Sequence, residues 1–328
     1  MIHDDARARF PEMPAGYESF YLRACHPDGG LGIWIRYTVH RRPGREASGS
    51  LWFTLFDAEA GAPTAVKISV PGPVAGDGDW LRIADSRIGP GSATGEVRVP
   101  GTAEAGWDLR FDGAPALRHL PRGWMYRSAL PKTKPLSLHP VARFDGTVTI
   151  GGREITLDGW PGMVGHNWGS QHAERWIWLH GMNFAGTDDA TWLDVTLGRI
   201  RVGGLTLPWI ASGAISLDGQ RLALGGPGAI RRTRVAERPD RLEFTLPGNG
   251  VWIRGRVSAP RERFVGWVYA DPDGSEHQTV NCSIADLTLA VALQGGPPVE
   301  LRADGLAAYE LGMREHDHGM TIQPFPDG

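Results

Sequence analysis

Gly165-His166-Asn167-Trp168-Gly169-Ser170-Gln171-His172-Ala173-Glu174-Arg175-Trp176-Ile177-Trp178-Leu179-His180-Gly181 carries three of the chain's 11 histidines and three of its 13 tryptophans. After the Gly169-Ser170 turn, Trp176, Trp178 and His180 fall two residues apart. In an extended strand they share one face, and Arg175, Ile177 and Leu179 take the other. Two indoles and an imidazole on one face suit an apolar cavity with a few polar handles. The alternative is the core of a Trp-rich barrel whose ring N–H groups are satisfied, but polar groups that come as a cluster favour the cavity.

The period of two continues outward from this stretch. Phe20-Tyr21-Leu22, Gly32–Val39 and Ser50–Phe56 are rich in β-branched and aromatic residues, and Pro27-Asp28-Gly29-Gly30 between the first two is a hairpin signal. Shorter strands are expected near 64–70, 80–88, 94–99 and 106–112. Strands resume at Ala142–Ile150 and Glu154–Leu157, and beyond the central stretch at Thr191–Ile200, Trp209–Leu217, Arg221–Leu224, Arg241–Leu246, Val251–Val257, Phe264–Ala270, Thr279–Leu293 and Leu301–Leu311. Turn pairs such as Asp218-Gly219, Asn249-Gly250 and Asp273-Gly274 punctuate them, and no long amphipathic helix is legible. The pattern is all-β, as barrel or sandwich. Residues 1–16 read as an arm. Residues 17–140, ending in a Pro-rich crossing over 113–140, read as a first domain, and 141–328 as a second. An eight-residue echo, Gly32-x-Trp34-Ile35-Arg36-x-x-Val39 against Gly250-x-Trp252-Ile253-Arg254-x-x-Val257, marks a duplicated barrel or only shared strand chemistry.

At 328 residues, 41% hydrophobic and 22% charged, the chain can bury a large core. Its net charge of −3 gives no reason to expect nucleic acid. Cys25 and Cys282 are too few for a disulfide framework. No secretory leader pattern or apolar run of membrane-spanning length is visible, so the expectation is a soluble cytoplasmic protein without a transmembrane segment. Oligomeric state is not legible.

The order Trp34-Ile35-Arg36-Tyr37, then Trp52, then Gly165-His166-Asn167-Trp168-Gly169 running into Trp176-x-Trp178, resembles the superfamily of carotenoid 1,2-hydratase (hydroxyneurosporene synthase) and the AttH-like proteins. Tocopherol cyclase and fungal decalin-forming Diels–Alderases are more distant relatives. The specific match covers about 35 residues around the central stretch plus the N-terminal hairpin. The resemblance implies two lipocalin-like antiparallel β-barrel domains, a hydrophobic ligand pocket, and chemistry on isoprenoid or polyketide chains without redox cofactors. The hydratase's aspartate acid aligns with no residue here, so its role is not carried over.

Hydrating an isolated alkene, or closing a ring on one, starts with protonation to a tertiary cation. That needs a Brønsted acid in a dry site and aromatic faces beside the cation, worth about 2 kcal/mol each when desolvated. A carboxylic acid in an apolar pocket is raised by desolvation and stays protonated near neutrality. Glu174 and Asp194 are the candidate acids. Asp194 is alternatively a solvated outer residue of its strand, and Glu174 a partner of Arg175. His166, His172 and His180 are candidates to position water or relay the proton. Trp168, Asn167, Trp176, Trp178, Trp34 and Arg36 are candidates to line the pocket, Arg36 by holding a ligand carboxylate. His166 and His172, six apart, match no recognised zinc spacing, and no metal or cofactor is expected. Glu315-His316-Asp317-His318 reads as a solvated tail. The expected function is a cofactor-independent hydratase or cyclase for a hydrophobic small molecule, with a non-catalytic lipid carrier or sensor as the alternative.

Overall fold

The computed structural model describes residues 6–76 and 78–325. Among them there is no α-helix, only four short 3-10 turns, and two large curled antiparallel sheets make up the rest. The first sheet uses β1 (Gly16–Cys25), β2 (Leu31–Arg41), β3 (Ser48–Asp57), β4 (Thr64–Pro71), β5 (Val74–Gly76), β6 (Asp79–Ile83), β7 (Ser86–Gly89), β8 (Ser92–Val97), β9 (Ala105–Gly113), β10 (Leu117–Arg118), β11 (Thr133–Ile150) and β12 (Arg153–Gly169). The second half holds β13 (Arg175–Met182), β14 (Trp192–Arg199), the small ribbon β15 (Arg201–Val202) and β16 (Leu205–Thr206), β17 (Ile210–Leu217), β18 (Gln220–Gly225), β19 (Arg234–Arg238), β20 (Arg241–Pro247), β21 (Val251–Ser258), β22 (Val265–Ala270), β23 (Glu276–Leu293) and β24 (Val299–Met313).

The strand orders reveal a duplication. The first sheet runs β4-β3-β2-β1-β12-β11-β9-β8-β7-β6-β5, with β10 beside β11; the second runs β18-β17-β14-β13-β24-β23-β21-β20-β19, with β22 beside β23. Strand for strand, β1 corresponds to β13 and β11 to β23. Two lipocalin-like units of one topology therefore follow each other. The echo between Gly32–Val39 and Gly250–Val257 does not mark this repeat. It lies on β2 and β21, which hold non-equivalent places, and Trp34 is buried whereas Trp252 is exposed. The chain changes sheet between Gly169 and Arg175, so β11, which starts inside the Pro-rich crossing, and β12 complete the first unit. The stretch expected as one strand near 80–88 is two, broken at Ala84, whose positive φ makes the turn.

Each unit keeps an apolar core on one sheet face. Phe20, Leu22, Ile33, Ile35, Leu51 and Phe53 belong to the first core, and Ile177, Leu179, Val195, Leu197, Val280 and Leu311 to the second. The alternate residues of the same strands face the other sheet, because side chains switch sides at every residue. The long strands β11 and β23 bend at equivalent bulges, at Ser137–Ala142 against β12 and at Cys282–Leu287 against β24. A bulge leaves backbone groups unpaired in the ladder. Here it turns the Pro140 and Ser283 carbonyls towards the opposite unit.

Candidate active site

The two sheets meet over a layer unlike either core. From the first come Tyr17, Ser19, Tyr21 and Arg23 of β1, Trp34 and Arg36 of β2, Trp52 of β3 and Asn167 of β12, in paired register. From the second come Trp176, Trp178 and His180 of β13, Asp194 of β14, Tyr269 of β22 and Glu310 of β24. The shared face of Trp176, Trp178 and His180 is thus as the alternation predicts. Tyr21 packs edge-on against Trp178 at 5.5 Å, and Trp52 against Trp267 at 5.0 Å and Tyr269 at 5.6 Å.

Arg23 and His180 lock the middle of the layer. Arg23 is fully buried and donates to His180 Nδ1, the Ser283 and Leu306 carbonyls and Cys25 Sγ, each at 2.8 Å. His180 donates Nε2–H to the Pro140 carbonyl at 2.7 Å. The contacts are reciprocal: β1 reaches the bulge of β23, and β13 reaches the bulge of β11. With Nδ1 accepting from a guanidinium, His180 is the neutral Nε2–H tautomer. Burial and the Arg23 charge push it down to about 4, against smaller opposing effects of Asp194 and Pro140. A ring held this way is a clamp and has no free nitrogen for proton transfer.

Asp194 is fully buried, which decides between its two readings. Its carboxylate accepts from Ser137 Oγ and from Trp178 Nε1 at 3.3 Å, and His119 Nε2 lies 3.7 Å away. His119 Nε2 is also 3.0 Å from Ser137 Oγ, and Nδ1 is 3.3 Å from the Ser212 carbonyl. The expectation of a carboxyl kept protonated by desolvation is overturned. Burial does push it up, but His119, His180 and the Ser137 hydroxyl together outweigh it and hold Asp194 below the usual range. While the Ser137 hydroxyl donates to Asp194, its oxygen accepts from His119 Nε2–H. His119 Nδ1 faces both the Ser212 carbonyl and, at 3.5 Å, the Thr196 hydroxyl. Through Ser137 Oγ a proton can pass between the imidazole and the Asp194 carboxylate.

Tyr21 sits amid these groups. Burial raises its phenol, and Asp194 and Glu310 raise it further against the Arg36 cation. Tyr21 and Asn167 are half-buried. Two glycines let the rings lie flat on the backbone. A Cβ on Gly165 would stand 2.1 Å from the Tyr21 ring, and one on Gly312 2.1 Å from the Trp176 ring. Glu310 accepts from Trp176 Nε1 at 2.9 Å and from Tyr269 and Asn281 at 3.3 Å. Arg36 donates to Ser19 Oγ at 2.6 Å and stacks on Tyr269 at 4.1 Å and Trp52 at 5.3 Å, not on Trp34. It lines a cavity of about 10 Å³ with Tyr17, Trp52, His172 and Tyr269. That volume holds one water, so a larger ligand enters this part of the layer only if side chains move. Buried polar atoms without hydrogen-bond partners concentrate here: Trp34 Nε1, His40 Nε2, Thr54 Oγ1, Asn167 Oδ1, Trp267 Nε1 and Thr279 Oγ1.

The other expected site residues are dispersed. His166 and Trp168 point into the first core, where His166 stacks between Phe20 and Trp168 and bonds Glu18 at 2.7 Å. Glu18 also accepts the backbone N–H groups of Arg9 and Phe10, pinning the N-terminal arm. Glu174 precedes β13 and pairs with Arg314 at 3.0 Å, partly in solvent. His172 lies on the crossover between sheets, stacked on Tyr17 at 3.9 Å and bonded to Asp271 at 2.7 Å. His119, Ser137, Tyr21, Arg23 and Glu310 were not singled out from the sequence. His119 and Ser137 lie within the Pro-rich crossing, and only the fold brings them to Asp194.

No family model matches the chain. It is 29% identical over 301 residues, 90% of this chain and 86% of the relative, to the uncharacterized proteins MT0513 and Rv0493c of two Mycobacterium tuberculosis strains. Among solved structures, an AttH-like protein (NE1406) from Nitrosomonas europaea superposes with a TM-score of 0.56 at 14% identity, over 94% of this chain and 95% of that one. CghA with bound Sch210972 gives 0.56 at 12% identity, over 92% and 89%. Kievitone hydratase from Nectria haematococca gives 0.52 at 11%, over 90% and 88%. At such identities the likeness is one of architecture. No helix among the described residues is long and apolar enough to cross a membrane. The chain carries the duplicated two-sheet fold of the AttH-like protein, CghA and kievitone hydratase.

Proposed function

We propose that the chain is a hydratase or cyclase that binds an apolar, isoprenoid-like or polyketide-derived molecule between its two sheets and starts the reaction by proton transfer. The observation that carries this reading is the buried chain His119–Ser137–Asp194 ending beside Trp178 and Tyr21. In this chain a proton can pass between an imidazole and a carboxylate, in a site buried from bulk water. Delivered to an alkene carbon, that proton leaves a tertiary cation, and the faces of Trp176 and Trp178 stabilise it without adding to it. Asp194 then takes a proton back from the attacking water or from the cyclised cation. Arg36 anchors a polar or anionic end of the molecule. No step calls on a redox cofactor. That the same architecture serves kievitone hydratase supports hydration, and that it serves CghA, a decalin-forming Diels–Alderase, supports ring closure in this fold without bearing on proton transfer.

The test is turnover and binding of a panel of terpenoid and polyketide alkenes by the wild type and by Asp194→Asn, Ser137→Ala, His119→Gln and Glu174→Gln. General acid–base groups contribute about 10²- to 10⁴-fold. The first three variants should lose turnover on that scale and still bind, and Glu174→Gln should match the wild type. Unchanged turnover in Asp194→Asn and His119→Gln removes the relay. Tight binding with no turnover by the wild type favours the carrier.

A further inference from the structure

A second polar cluster lies away from the relay. His172 on the crossover, Asp271 after β22 and His277 on β23 converge, and one ligating atom from each lies within 4.8 Å of the others. In sheet order β23 is three strands from β14, which carries Asp194. His277 is fully buried, and neither ring nitrogen makes a well-formed hydrogen bond. The Ala173 backbone is near enough to act on it, and its Nδ1 stands 3.8 Å from Asp271 Oδ2. An imidazole buried without a well-formed hydrogen bond on either nitrogen recovers little of its lost solvation unless something else takes up a nitrogen.

We infer that His172, Asp271 and His277 form a binding site for a divalent transition ion of the zinc class. Two imidazoles and one carboxylate are the donor set of three-ligand zinc sites, whereas magnesium and calcium take oxygen shells. Ligand distances of about 2.0–2.2 Å put donor atoms about 3–3.5 Å apart. His172 Nδ1 to Asp271 Oδ1 is 2.7 Å and Asp271 Oδ2 to His277 Nδ1 is 3.8 Å, so small shifts bring the three into register. The ligands are already oriented from outside. Asp271 accepts the His172 backbone N–H at 2.8 Å and Ser275 Oγ at 3.3 Å, and the His172 ring lies between Tyr17 and Trp176. Such outer contacts fix ligand geometry at metal sites. His172 also borders the small cavity shared with Tyr17, Arg36 and Tyr269. The ion would tie the crossover between units to the β22–β23 hairpin, and the inference does not depend on the proposed reaction.

The experiment uses the full-length chain without an affinity tag. Metal content is measured by mass spectrometry, zinc affinity by competition with a chromophoric chelator, and the melting temperature with and without zinc. One zinc per chain and a rise of several degrees are expected. Asp271→Asn and His277→Gln should each weaken binding by more than the roughly 10- to 100-fold that losing an outer contact costs a metal site. His316→Ala/His318→Ala, which alters the His-rich tail, should leave binding unchanged. Absence of stoichiometric binding by the wild type overturns the proposal whatever the variants do. So does loss of binding in the tail variant, or wild-type affinity in His277→Gln.

Discussion

Replacing Arg23 by Met should weaken the union of the two sheets and reshape its response to acid. The side chain is fully buried, and its loss leaves the His180 Nδ1 atom and the Ser283 and Leu306 carbonyls without their donor. Each abandoned buried acceptor costs about 1–3 kcal/mol. Part of this is recovered because a guanidinium no longer has to be desolvated, and breaking such buried arrangements costs about 3–5 kcal/mol. At pH 7 the variant should lose about that much in urea denaturation followed by tryptophan fluorescence. The pH dependence has a separate sign. His180 falls from 6.5 unfolded to about 4 folded, so the unfolded chain binds a proton there that the folded chain refuses. The resulting stability is fully present above pH 6.5 and is lost as pH falls towards 4, about 3 kcal/mol in all. Arg23 is one of the two causes of that depression, so the variant's acid-sensitive window should be narrower and its loss between pH 7 and 4.5 smaller. A cost below 1 kcal/mol at pH 7, or an unaltered acid limb, refutes the clamp.

Gly165→Ala should cost about 1–3 kcal/mol through overpacking against the Tyr21 ring, and Tyr21→Ala in the same chain should recover part of it; equal costs with and without Tyr21 contradict the contact. Cys25 and Cys282 are buried, and burial raises both thiols, Cys282 to about 12. Neither should react with a thiol reagent at pH 8 until the protein unfolds, and rapid labelling of the native chain counts against this placement. For any substrate turned over, reaction in D2O should place one deuterium on the carbon that receives the proton; a product without it excludes proton-initiated chemistry.

The strands were legible because alternation is local: Trp34, Arg36, Trp52, Trp176, Trp178 and His180 lie on the faces that a period of two assigns them. What alternation cannot say is which sheet a face will meet. His166 and Trp168 share the central stretch with His180, yet β12 turns them into the first unit's own core while Asn167 between them faces the second unit. The relay was hidden for another reason. His119 and Ser137 come from a Pro-rich segment without periodicity, and the groups that pull Asp194 down, these two and His180, lie outside its own strand. Desolvation alone predicts the opposite charge. The His172–Asp271–His277 cluster spans the crossover and a distant hairpin, so no local ligand spacing announces it. The duplication is likewise absent from the residues and present in the strand order.

The central claim is that a ligand lodges between the sheets, although a much larger open groove, about 640 Å³, lies on the second unit's outer surface by Arg234, Phe244, Arg254 and Leu289. Photolabelling with a diazirine-bearing terpenoid, read by peptide mass spectrometry, separates the two. The account predicts adducts on Tyr21, Trp176 and Trp178, suppressed by excess unlabelled ligand. Competable adducts confined to residues 234–256 and 288–300 would contradict it.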